Sequence, residues 1–118
     1  MAKKKAKEKA TVEKMPVQFR VGSALLRRID RSVANTGLSR NAWMCAAVAR
    51  YLEEGKPLRL AVTAEAMLAD KTTLMIRLEA EQVEEIDVVC EERDYARTIW
   101  LLDACLSYLR ICERARRQ

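Results

Sequence analysis

The sequence contains no histidine, which removes the commonest general base and the usual partner of a nucleophilic serine or cysteine. Its four cysteines, Cys45, Cys90, Cys105 and Cys112, form no CxxC pair, so the ligand spacing of a zinc site is missing too. Free thiols of this kind favour interiors, and they are expected on buried helix faces. Glycine is scarce: only Gly22, Gly37 and Gly55 occur, which offers no phosphate-cradling loop. With no nucleophile–base or metal-ligand constellation left, the chain is read as a non-enzyme without metal or cofactor. No apolar run approaches the roughly 18 residues of a membrane span, and no apolar stretch follows the lysine-rich start. A cytoplasmic protein without membrane contact is expected.

What is present is charge, unevenly spread. Residues 1–58 hold 13 basic and 5 acidic side chains, a net of +8, whereas residues 59–118 hold 9 and 12, a net of −3. A basic half favours a polyanionic partner. Half of the chain is hydrophobic and a third is charged, the balance of a globular domain.

The second positive feature is an ungapped internal repeat. A shift of 57 positions lays Arg20–Leu52 onto Arg77–Leu109. Arg20, Ile29, Asp30, Arg40, Trp43, Ala47, Tyr51 and Leu52 meet Arg77, Ile86, Asp87, Arg97, Trp100, Ala104, Tyr108 and Leu109, eight identities in 33 positions. The chain therefore carries one structural unit twice. A unit of about 40 residues rarely buries enough apolar surface to fold alone, so the two copies are expected to share one core.

Each copy reads the same way. Met15–Val21 alternates apolar and polar, with Met15, Val17, Phe19 and Val21 on one side and Lys14, Pro16, Gln18 and Arg20 on the other, the period of a strand with one buried face. Gly22-Ser23 offers a helix N-cap. Leu25, Leu26, Ile29 and Val33 follow at helical spacing, Gly37 suits a left-handed stop, and Ser39 caps a second helix with the stripe Trp43, Ala47, Val48, Tyr51 and Leu52. After a linker with a possible short helix around Ala64–Leu68, Thr73–Leu78 forms a strand with Leu74, Ile76 and Leu78 inward and Thr73, Met75 and Arg77 outward. Val83, Ile86 and Cys90 mark the next helix. Trp100, Leu101, Ala104, Cys105, Tyr108 and Leu109 mark the last, where Ala96 stands in place of Ser39 and weakens the cap. A lone strand leaves backbone groups unpaired, so the two strands are expected to pair antiparallel. The predicted fold is mainly α with a two-stranded antiparallel β-ribbon, an intramolecular pseudo-dimer of two β-α-α units. Its expected parts are a disordered basic arm over 1–13, a first unit over 14–54, a linker over 55–70 and a second unit over 71–118.

The strand start around Met15-Pro16, the helix after it, and Gly37-Leu38-Ser39-Arg40-Asn41 opening the second helix resemble the ribbon-helix-helix DNA-binding superfamily of the Arc and MetJ repressors. The likeness covers about residues 14–54 and 71–112. Tandem copies in one chain look like the conjugation accessory proteins of the TraY type and the T-DNA overdrive-binding virulence proteins, which assist a relaxase. The resemblance implies a ribbon laid in the major groove of double-stranded DNA. Its outward side chains, Gln18, Arg20, Thr73, Met75 and Arg77, would contact bases. It also implies phosphate contacts at the start of each second helix, here Ser39, Arg40 and Asn41, and Ala96, Arg97 and Thr98; Lys14 and Lys71 complete that set. Because the two strands differ outside the shared arginine, an imperfectly palindromic target is expected.

Blander readings stand beside these. Single surface arginines are usually solvated, and Trp43 and Trp100, although able to stack on bases, lie among core-stripe residues. The Lys3–Lys9 arm either follows the DNA backbone or aids solubility. Acidic residues gather around the third helix, from Glu79 to Asp94, either as a solvated face or as a docking surface for a relaxase, another transfer protein or a neighbouring copy's basic half on DNA. A plasmid-transfer accessory role leads, a transcriptional repressor is the alternative, and a protein-interaction module that has lost DNA binding is the reading of another class.

Overall fold

The computed structural model describes residues 14–54, 71–94 and 96–117. Among them the order is β1 (Lys14–Gly22), α1 (Ser23–Thr36), α2 (Arg40–Glu54), β2 (Lys71–Glu79), α3 (Ala80–Arg93) and α4 (Arg97–Arg117). The expected basic arm, the linker and its short helix lie outside the described residues.

Both strands follow from their alternation. Val17, Phe19 and Val21 on β1 and Leu74, Ile76 and Leu78 on β2 are buried, with exposed residues between them. The strands pair antiparallel from Lys14 opposite Glu79 to Gly22 opposite Lys71, with Gln18 facing Met75 at the middle. Gln18 and Met75 are themselves equivalent under the 57-residue shift. Each strand is longer at both ends than its alternation predicts. Met15 corrects the expected inner face, being 39% exposed, and its equivalent Thr72 is exposed as well. Alternation assigns a side chain to a face, but helices must also cover the end of that face.

Helix boundaries have local causes. α1 starts at the expected Gly22-Ser23 pair: Gly22 is the N-cap residue, with extended backbone and no side-chain cap bond, and Ser23 is the first residue of the helix. Its stop is the expected one. Gly37 has φ 77, a region that costs other L-residues about 1–2 kcal/mol, and its N–H donates to the Val33 carbonyl at 3.1 Å. Ser39 Oγ accepts the Ala42 N–H at 3.1 Å, the expected cap of α2. α3 has a capping box, Glu79 with Gln82, which satisfies two orphan N–H groups reciprocally. It ends at Asp94, φ 60, at the repeat position of Gly37. α4 opens on the Ala96 carbonyl, which accepts from Ile99 and Trp100.

One core joins everything. The inner faces of both strands pack with Leu25 and Ile29 of α1, Trp43, Met44, Ala47, Val48 and Tyr51 of α2, Val83 and Ile86 of α3, and the middle of α4. Within α4 every residue from Trp100 to Leu106 is buried. A helix covered all round lies inside a fold rather than on its surface, so Leu102, Asp103 and Leu106 join the stripe that periodicity had picked out.

The copies are knitted together by exchanged contacts. Trp43 meets Tyr108 edge-on at 5.0 Å between ring centroids, and Tyr51 meets Trp100 edge-on at 5.2 Å. These are the same pair with the copies swapped, and such T-shaped contacts add about 0.5–1.5 kcal/mol beyond area burial. Asymmetry enters through polar groups. The Tyr51 hydroxyl donates to the fully buried Asp103 carboxyl, whereas the residue equivalent to Asp103 is Ala46. Trp43 Nε1 donates to buried Ser32 Oγ at 2.9 Å, whose equivalent is Val89.

Candidate nucleic-acid interface

The helices cover one face of the ribbon, and the other is open. Lys14, Pro16, Gln18 and Arg20 on β1 and Lys71, Thr73, Met75 and Arg77 on β2 are all exposed, Met75 at 50%. The register sets them in rows: Arg20 beside Thr73, Gln18 beside Met75, Pro16 beside Arg77. All five expected base-contacting residues thus share one face. The ends carry Lys14 beside Glu79 and Lys71 beside Gly22.

Under the 57-residue shift the cations of this face are the same in both strands, and its neutral centre differs. Lys14 and Lys71, and Arg20 and Arg77, are equivalent pairs; Gln18 corresponds to Met75 and Pro16 to Thr73. Arg20 and Arg77 lie on opposite strands, two residues either side of the central row. At about 3.3 Å per residue they are roughly 13 Å apart along the ribbon, close to four base-pair steps of about 3.4 Å. Arginine can bond guanine O6 and N7 together, glutamine can do the same with adenine, and methionine or threonine can touch a thymine methyl.

The expected phosphate contacts divide. In the first turn of α2 the N–H groups of Arg40 and Asn41 precede the helical ladder, as do those of Arg97 and Thr98 in α4. The side chains are partly engaged elsewhere. Arg40 makes a two-pronged ion pair with Asp30 at 3.0 and 3.0 Å, and Arg97 makes the same pair with Asp87 at 3.0 and 2.8 Å. These four residues supply four of the sixteen positions in the repeat's identities, so the pairing leaves its mark in the sequence. Each arginine therefore fastens the start of a second helix to the helix before it.

Asn41 has a different task. Its Oδ1 accepts the Arg77 backbone N–H at 2.9 Å, and the Cys45 thiol donates to the Arg77 carbonyl at 3.2 Å. Asn41 Nδ2 in turn reaches Cys45 Sγ at 3.6 Å. An edge strand exposes unpaired backbone groups, and here α2 of the first copy caps the edge of β2. The start of the first copy's second helix thus sits beside the strand arginine of the other copy. Burial pushes the Cys45 thiol up from its ordinary value, opposed by nearby Lys14 and reinforced by Glu79, so it stays a donor at neutral pH. The equivalents of Asn41 and Cys45 are Thr98 and Leu102. Leucine has no polar group, so β1 has no identical clamp.

Among the described residues no grouping of His, Cys, Asp or Glu could hold a metal ion, and no helix is long and apolar enough to cross a membrane. No family model, curated protein or solved structure matches the chain.

Proposed function

We propose that this chain is a tandem ribbon-helix-helix protein that reads double-stranded DNA through the open face of its ribbon. In this reading the two copies form a pseudo-dimer about an axis between Gln18 and Met75. The observation that carries it is the open face itself: two arginines and two lysines in symmetric places around an uncharged centre. A two-stranded ribbon suits the major groove, about 12 Å wide. Arg20 and Arg77 read guanines about four base pairs apart, and the unlike centre makes the preferred site an imperfect palindrome. The N–H groups opening α2 and α4 bind flanking phosphates, with Ser39 and Ala96 making the first grip the better formed. Lys14 and Lys71 add salt-dependent attraction.

Two such units in one polypeptide favour a DNA-transfer accessory role, in which the protein marks a site for a relaxase. Selection of bound fragments from a genomic library tests both levels. Enrichment of one motif at a transfer origin supports the role, enrichment at promoters assigns a repressor, and no enrichment removes the reading. On the selected site, replacing Arg20 and Arg77 by Ala is expected to erase the preference over random duplex, since each two-bond contact contributes about 1–3 kcal/mol. Unchanged preference in an anisotropy titration refutes the ribbon as reader.

A further inference from the structure

The first helices of the two copies differ in charge. Arg27, Arg28 and Arg31 of α1 occupy the repeat positions of Glu84, Glu85 and Val88 of α3. Arg28 is held by Glu113 of α4 at 2.9 and 3.2 Å, while Arg27 and Arg31, one turn apart, are exposed. Between the copies, a groove of about 490 Å3 opens between α2 of the first and α3 of the second, lined by Leu52, Glu84, Glu85, Val88 and Val89. Val88 is 52% exposed. An apolar floor with carboxylates on its rim suits arginine, whose stem covers apolar surface while its head pairs with acid.

We propose that this groove receives α1 of a second copy of the chain, with Arg27 and Arg31 lying over Val88 and reaching Glu84 and Glu85. Charge complementarity selects that occupant. Like faces repel and unlike faces attract, so α1 of one copy meets the groove of another, and repeated in one direction that contact runs head to tail. One helix face is small beside the roughly 1,200–2,000 Å2 of a stable interface, so free association is weak and sensitive to salt. Copies side by side on one duplex gain effective concentration and form an array with a direction. That last step rests on the DNA-binding reading; the contact itself does not.

Sedimentation velocity on the full chain without DNA tests it. In low salt the wild type is expected to sediment faster as concentration rises, and to return to the monomer value in high salt. Arg27→Glu/Arg31→Glu makes both faces acidic, and Glu84→Arg/Glu85→Arg makes both basic. Each variant alone should stay monomeric, and their equimolar mixture should regain association, which also shows that both are folded. A monomeric wild type in low salt, self-association of either variant, or a monomeric mixture overturns the proposal. Anisotropy on a single-site duplex separates the two ideas. Duplex binding without self-association defeats this contact alone, and self-association without duplex binding defeats the DNA reading alone.

Discussion

Tyr51 and Tyr108 stand at equivalent positions, each edge-on to the other copy's tryptophan, yet their hydroxyls should differ in worth. Tyr51→Phe keeps the ring contact and deletes a donor to the Asp103 carboxyl, which is 0% exposed. Removing one partner from a buried polar group costs about 1–3 kcal/mol. Tyr108 is only half-buried, and its burial and neighbouring Cys112 push its phenol up. Deleting that hydroxyl should cost less than about 1 kcal/mol, because water can replace the lost bond. For a domain of about 100 residues, 1 kcal/mol moves the melting temperature by about 4–8 °C. Tyr51→Phe should therefore lower it by roughly 10 °C and Tyr108→Phe by only a few degrees. Urea titration and calorimetry read both. A second cycle adds Asp103→Leu to Tyr51→Phe; with both partners apolar, part of the loss should return. Equal losses at the two tyrosines, or a double variant worse than the sum of the singles, would refute the idea that Asp103 makes the copies unequal.

The helix starts offer a matched pair: Ser39→Ala should destabilise by about 1 kcal/mol and Ala96→Ser should stabilise by a similar amount, both by urea midpoint at constant slope. Replacing Asp30 and Asp87 by Ala breaks exposed ion pairs and should cost under about 1 kcal/mol each. Freed from them, Arg40 and Arg97 should tighten duplex binding and steepen its salt dependence; weaker binding would mean that the pairs are needed to aim the helix starts. Burial pushes the Cys105 thiol up to about 12 from 9.0. The folded state then holds a proton that the unfolded state gives up first, so this contribution is intact below pH 9 and is lost as pH rises toward 12, at about 1.4 kcal/mol per pH unit. Thermal melts from pH 8 to about 10.5 should fall more steeply for the wild type than for Cys105→Ala, and parallel curves would contradict the assignment.

Local rules carried the reading where neighbours in sequence decide the outcome. The period-two alternation around Val17, Phe19, Leu74 and Ile76 and the Gly37 stop are properties of a few adjacent residues, and the Ser39 cap needs only the turn that follows it. The repeat also implied that the two strands would pair, because a lone strand cannot satisfy its backbone. Even the shared face of Gln18, Arg20, Thr73, Met75 and Arg77 follows from alternation once that pairing is granted. Residues distant in sequence were illegible for the opposite reason. Asn41 and Cys45 look like ordinary helix positions until β2 arrives beside them with Arg77's unpaired edge, 36 and 32 residues away. Asp103 resembles a solvated charge until the stretch of α4 from Trp100 to Leu106 is enclosed on every side and Tyr51 meets it. Periodicity reports which face of an element is apolar, but not what comes to lie against its remaining faces; that is settled when the two copies pack around one core.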